Sequence, residues 1–348
     1  MNAMKIAVIA PSVLPSPPGE GYGGAEAVVA STCRSLGDLG IDYTLFAPKG
    51  SKALGGKLIE TIDAPGVWTG REELDAWALY KDQIKRSEFD VLVDFSHEGR
   101  TFRRTGWTCP VPVVKMFMGL STWESAMPPV PGGLVYVTIS QYHWQVTKRA
   151  LGIDSEILNH GIDTELHTPS EPSERRYYLV FSMMARHKGQ FELLRKLARY
   201  DDVAVMGEGR FVPDAGYVEQ LGKFCGLNNI PFHTSLSLNQ KIAYFQDAKA
   251  VVLPFLPSGE AWSLIATEAM ACGTPVLTTD TGAMREIVAP GTGRLFKDVE
   301  ALAKGMRDEG FTYPACREHA VKNFDRMVNA RRLLDICRRL IDAGGGGT

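Results

Sequence analysis

This sequence predicts an α/β chain of two doubly wound parallel sheets facing across a cleft, on three observations. Short apolar runs alternate with helical patterns from one end to the other. A polar stretch rich in Pro, Ser and Glu, residues 164–176, interrupts that alternation once. The 348 residues supply two domains at roughly 150 residues each.

The elements follow in order. Residues 5–10 (KIAVIA) read as a strand buried on both faces, as strands of a helix-covered parallel sheet are. A loop dense in Pro and Gly follows (residues 11–24), then a helical pattern from Ala25 to Leu39 closed by Gly40. YTLFAP, VLVDF (91–95), VPVV (111–114) and VYVTI (135–139) repeat the strand theme. Beyond 164–176 the alternation restarts with YYLVFSM, a helix near 190–199, VAVMG, a helix near 214–225, VVLPF, a helix near 263–271 and PVLTT. Val321, Phe324, Val328, Leu333, Cys337 and Leu340 then recur at helical spacing in one tail helix of about 315–342. The expected domains are therefore 1–165 and 166–314, with a helical segment 315–348. Sheets of this kind bind ligands beyond their strand ends, which puts a site in the cleft.

Composition narrows the function. Lys plus Arg number 38 and Asp plus Glu 40, a formal charge of −2 with no basic half, which argues against nucleic acid as a partner. The six cysteines lie at least 21 positions apart with no CxxC pair, the pattern of reduced thiols rather than a zinc site, and a cytoplasmic location is expected. Apolar stretches fall well short of the ~18 residues of an integral membrane segment.

Gly19-Glu20-Gly21-Tyr22-Gly23-Gly24 matches GxGxxG, yet eight or nine residues separate it from its strand, and the second strand ends in Pro48-Lys49 where a ribose-binding acid belongs. Two readings stay open: a flexible turn, or Gly23 and Gly24 bringing bare amides at a helix start against a phosphate or sugar.

The most informative stretch is Pro254–Gly282. The strand VVLPF ends in a Pro-Ser-Gly loop that sets Glu260 at the edge of its sheet. The amides of Trp262, Ser263, Leu264 and Ile265 point out of the following helix start, a place for an anion. Glu268 stands three and four residues past Ile265 and Leu264, one turn further in, where a ribose attached to that anion falls within reach. One carboxylate thus meets a sugar and the other a ribose. The plainer alternative makes Glu260 a solvated loop acid and Glu268 an exposed one, but the setting of Glu268, IATEAMACG, is apolar or small.

Glu260 and Glu268 form E-x7-E, followed by EAMACGTPV, Gly282 and Glu286; YGGAE (22–26), NHGID (159–163), HKG (187–189) and GTGRLF (291–296) complete the set. With these the chain resembles GT-B retaining glycosyltransferases of family 4, over almost its whole length. The resemblance implies two Rossmann-like domains, with the C-terminal helix crossing back to the N-terminal, acceptor-binding one. It implies a donor sugar at Glu260, a ribose at Glu268, a diphosphate at Lys188, and Gly23 and Gly24 near diphosphate and acceptor. Two positions depart from the family pattern: Met183 stands where an Arg is usual, with Arg186 nearby as a replacement, and Met118 where a His is usual, with His97 able to reach the same cleft.

The expected function is transfer of a hexosyl group, with retention, from a UDP- or GDP-sugar to the hydroxyl of a saccharide or small-molecule acceptor. No cofactor beyond the donor is expected. No Asp-x-Asp occurs in the chain, so backbone dipoles, Arg186 and Lys188 are expected to carry the diphosphate charge without metal. Alternatives on the same fold are a sugar phosphorylase or epimerase, or a nucleotide-sugar-binding protein with reduced turnover.

Overall fold

In a computed structural model the described residues are 4–19, 23–66, 71–96, 104–120, 127, 129–170, 174–209, 214–257, 259–308 and 313–345. They form two compact units. The first gathers residues 1–19, 23–161 and 326–348; the second holds 20–22 and 162–325.

The first unit is built on a seven-stranded, all-parallel sheet in the order β3-β2-β1-β4-β5-β6-β7. Its strands are β1 (Lys5–Ile9), β2 (Asp42–Ala47), β3 (Lys57–Glu60), β4 (Val91–Asp94), β5 (Val113–Met116), β6 (Leu134–Thr138) and β7 (Glu156–Ile157). Helices on both faces bury the central strands, which is why Ile6–Ile9 of β1 and Val91–Val93 of β4 are wholly apolar. The order reverses between β1 and β4, so the chain leaves neighbouring strand ends in opposite directions and opens a crevice there. Helix Gly24–Asp38, which follows β1, packs against Arg326–Gly345; Arg326 Nη1 donates to Asp38 Oδ2 at 2.7 Å and Ser35 Oγ at 3.3 Å.

The second unit repeats the plan with six parallel strands in the order β10-β9-β8-β11-β12-β13. These are β8 (Tyr177–Met183), β9 (Val203–Glu208), β10 (Phe232–Thr234), β11 (Ala248–Leu253), β12 (Val276–Thr279) and β13 (Gly293–Phe296). Here the reversal falls between β8 and β11. Val180, Val205, Leu221, Val252 and Leu302, all inaccessible, form part of its core.

Two helical expectations differ in extent. The helix near 190–199 covers only Gln190–Leu194, because the Leu194 carbonyl accepts from the Leu197 amide (3.3 Å) and the Tyr200 hydroxyl (3.1 Å), tightening the chain so that Leu197 joins the core. The tail helix is two, Tyr313–Phe324 and Arg326–Gly345. Asp325 breaks it by pairing with Ile162 as an isolated bridge, and its Oδ2 accepts from Thr164 Oγ1 at 2.5 Å. No helix among the described residues is long and apolar enough to cross a membrane.

Candidate functional site

The reversal between β8 and β11 brings two loops side by side. After β8 the chain makes a tight turn, Arg186–Lys188, ended by Gly189 at φ +72°. A Cβ at Gly189 would stand 2.0 Å from the Pro254 carbonyl oxygen, so only glycine lets this turn press against the end of β11. The Leu256 amide donates to the His187 carbonyl at 3.1 Å and closes the join. Buried Gln190 braces the turn from behind, donating to Ser182 Oγ (2.6 Å) and the Met183 carbonyl (2.9 Å) while accepting from the Tyr217 hydroxyl (3.1 Å).

Lys188 and Glu260 meet across this junction in a charge-assisted hydrogen bond, Nζ to Oε2. Their side chains are 14% and 18% exposed, so the pair is sheltered yet open on one side. Lys188 Nζ also lies 4.9 Å from the centre of the Phe255 ring, a favourable seat for a cation. Glu260 is held in turn by the 281–283 segment. The Ala283 amide donates to the Glu260 carbonyl at 2.8 Å, and Gly282, at φ +58°, comes so close that a Cβ would lie 2.3 Å from the Glu260 amide nitrogen and carbonyl oxygen.

Ser263 caps the next helix, Leu264–Ala271, its Oγ accepting from the Ala266 amide at 3.3 Å. The amides of Leu264 and Ile265 open that helix, where no intrahelical acceptor exists for them, and the helix dipole adds positive potential. Trp262 is buried beside this start; its ring meets Phe324 edge-on at 5.4 Å, and its indole Nε1 has no partner among the described residues. One turn further in, Glu268 is only 7% exposed. Both its oxygens accept from Lys241 Nζ, at 2.9 and 2.8 Å, across from helix Leu238–Asp247. Buried His167 brings Nε2 to 3.7 Å from Glu268 Oε1, and burial, the largest cause, pushes its pKa below the ordinary imidazole value.

The second unit thus gathers Lys188, Glu260, Trp262, Ser263, Leu264, Ile265 and Glu268 along one loop–helix segment and its neighbour. Arg186 takes another path: its Nε donates to Asp214 Oδ2 at 2.7 Å, and its guanidinium lies 5.3 Å from the Tyr217 ring centre. Met183, where an Arg was expected, is half-buried at the end of β8.

At the reversal point of the first unit, Gly23 caps helix Gly24–Asp38 at φ +124°, where a Cβ would sit 2.7 Å from Pro18 Cβ and 2.9 Å from Glu26 Oε2. Gly24 is exposed. Glu26 is buried, and desolvation raises its pKa to about 7. At the ends of β4 and β5, Asp94 and Lys115 form an ion pair (3.1 Å) with no exposure at all; Lys115 Nζ also donates to the Ser96 carbonyl at 2.6 Å. Met118 is half-buried after β5. His97 lies outside the described residues.

Sequence reasoning missed Lys241 and His167. One signal was available: a carboxylate buried among small residues needs a cation. The spacing does not say which of the second unit's lysines and arginines supplies it.

A twice-repeated doubly wound sheet with its polar side chains at the reversal points defines the GT-B class of fold. Residues 175–308 match the model for glycosyl transferases group 1. It is similar to the MMP alpha-(1->4)-mannosyltransferase of Mycolicibacterium hassiacum, 35% identical over 136 residues, 37% of this chain and 32% of that protein. It is also similar to the phosphatidyl-myo-inositol mannosyltransferase of Mycolicibacterium smegmatis, 27% identical over 231 residues, 61% and 58% of the two chains. The alignments thus span about a third and under three fifths of these two relatives. Among solved structures, sucrose-phosphate synthase from Thermosynechococcus elongatus superposes with a TM-score of 0.76 over 98% of this chain and 100% of the other, at 18% identity, a likeness of fold.

Proposed function

We propose that the protein transfers a sugar from a nucleoside diphosphate donor, UDP- or GDP-linked, to an acceptor hydroxyl, retaining the anomeric configuration and needing no divalent metal. The observation that carries this reading is the spacing of two lysine-paired carboxylates about an open helix start. Lys188 and Glu260 stand at the loop, the amides of Leu264 and Ile265 at the helix end, and Glu268 with Lys241 one turn beyond. A diphosphate fits the middle of that row, a sugar the Glu260 side and a ribose the Glu268 side. The match of residues 175–308 to the glycosyl transferases group 1 model supports it.

In this reading the diphosphate draws Lys188 away from Glu260 and shares it with the helix amides, which stabilise the leaving group as negative charge develops on it. Glu260, released from its lysine, orients the sugar hydroxyls and stabilises the oxocarbenium-like charge. Arg186 joins only by leaving Asp214. The departing phosphate helps to deprotonate the acceptor on the same face. The acceptor reaches the site from solution.

The test is product analysis with UDP- and GDP-hexoses. Anomeric NMR of the transfer product should show the donor's configuration, with EDTA leaving the rate essentially unchanged. An inverted product sinks the stereochemical reading, and activity abolished by EDTA and restored by Mn²⁺ or Mg²⁺ sinks the metal-free one. A demand for free phosphate with release of sugar 1-phosphate would identify a phosphorylase instead.

A further inference from the structure

Glu268 does not stand alone in its pocket. Lys241 holds both its oxygens, and His167 lies behind it with an unusual hydrogen-bonding state. His167 Nδ1 is 2.9 Å from the Asp163 carbonyl oxygen. A carbonyl only accepts, so Nδ1 carries the proton, and in the neutral ring Nε2 is a bare acceptor. That Nε2 is buried, has no hydrogen-bond partner among the described residues, and faces Glu268 Oε1, another acceptor. Two lone pairs confront each other at 3.7 Å inside the protein, an arrangement stable only while a cation elsewhere satisfies the carboxylate. Lys241 is that cation.

We infer that Lys241 is a positioning residue for the nucleoside end of the donor, holding Glu268 ionised and aimed, and that His167 is a reserve proton carrier that takes over when Lys241 is withdrawn. The inference rests on the nucleoside reading of Glu268 given above. Lysine, glutamate and neutral imidazole together carry no net charge. Remove the ammonium and the buried carboxylate is left uncompensated; the nearest group able to take a proton from solvent and turn it toward Oε1 is Nε2. Burial, and after it Lys241, holds the imidazole neutral, while Glu268 and Asp163 pull the other way. Among the described residues Arg317 of helix Tyr313–Phe324 also meets His167, its Nη1 donating to the His167 backbone carbonyl at 2.6 Å. Neighbouring Cys272 titrates only at about 12 and stays a thiol. None of these can replace Lys241 on the carboxylate. For a ligand, the consequence is that its hydroxyls meet a carboxylate fixed from behind, with lone pairs aimed outward rather than lost to a proton.

The experiment pairs NMR titration of the His167 ring in the ligand-free chain with calorimetry of UDP and GDP binding between pH 6 and 8. Wild type should keep the ring neutral throughout. In Lys241→Met the imidazole midpoint should rise into the titrated range. Nucleotide affinity should fall about tenfold at pH 8, relative to wild type at the same pH, and recover as the pH drops through that midpoint. Lys241→Met combined with His167→Phe should lose affinity without the recovery. Lys241→Arg keeps a cation and should keep the ring neutral, which also controls for folding. A His167 ring that stays neutral in Lys241→Met, or an affinity gap equal at every pH, overturns the inference; so does a raised midpoint in Lys241→Arg. If Glu268→Gln binds both nucleotides as wild type does, the nucleoside reading fails instead, while the ligand-free titration still decides the proton exchange.

Discussion

Each sheet carries a lysine–carboxylate pair beside its reversal point, and the two pairs are built to opposite ends. Asp94 and Lys115 come from adjacent strands in register, are wholly inaccessible, and are held locally: Asp94 Oδ2 lies 3.1 Å from Lys115 Nζ, Asp94 Oδ1 accepts the Ser96 amide at 2.9 Å, and Lys115 donates to the Ser96 carbonyl. Lys188 and Glu260 come from loops, keep 14% and 18% exposure, and leave Glu260's other oxygen free of a second lysine or arginine among the described residues. A closed pair with local partners does structural work, fixing where the chain turns after β4. An open pair can exchange its partner for a ligand at far smaller penalty, because part of each charge already faces solvent. Exchangeability, more than the presence of charge, separates a candidate site from a scaffold here.

The largest expected effect follows from breaking the closed pair. Lys115→Met strands Asp94 without compensation and should lower stability by about 3–5 kcal/mol, read by chemical denaturation. Loss of under 1 kcal/mol would show that the pair is less enclosed than its geometry implies.

Glu26 sharpens the contrast, being a buried carboxylate with no lysine or arginine pairing it among the described residues. Its folded pKa, about 7, lies above its ordinary 4.5, so the native state holds the proton more tightly. The stability this contributes is full below pH 4.5 and is lost as pH rises through about 7. Glu26→Gln lacks that dependence and should gain about 3 kcal/mol on wild type across that window, measured by denaturation at several pH values. A pH-independent difference would contradict the shift.

Gly282→Ala tests the open pair through its support. With φ at +58° and no room for a Cβ against Glu260, the variant should lose roughly 1–3 kcal/mol and displace Glu260, lowering turnover. Unchanged turnover would mean that the placement of Glu260 does not matter to the chemistry. Smallest of all, Arg186→Ala should shift stability by under about 1 kcal/mol, since the Arg186 side chain is 61% exposed in its pair with Asp214. It should also weaken nucleotide binding much less than Lys188→Ala does. Equal losses would put Arg186 on the diphosphate.

Most of the scaffold was legible because its signals are local. Buried parallel strands write themselves as apolar runs such as VVLPF, and Ser263 with Gly273 marks the bounds of a short helix. Glu268 announced itself by standing alone in an apolar helix. What escaped depends on contacts distant in sequence. Lys241 is 27 positions from Glu268 and sits in QKIAYF, which reads as any amphipathic helix. The engagement of Arg186 by Asp214, 28 positions away, is equally silent. The break at Asp325 depends on pairing with Ile162 and Thr164, partners that helical periodicity cannot report.

The central claim is that the two carboxylates of the second unit divide the donor between them, and calorimetry with bare UDP and GDP on Glu260→Ala and Glu268→Ala tests it most directly. Removing Glu268 takes charge-assisted hydrogen bonds from a ribose that the bare nucleotide contains, so its affinity should drop by about 1.5–3 kcal/mol. Removing Glu260 should leave bare-nucleotide affinity nearly unchanged and appear in turnover, where charge develops on the sugar. Loss of nucleotide binding in Glu260→Ala with retention in Glu268→Ala would contradict the assignment, and wild-type binding and turnover in both would return the pair to a structural role.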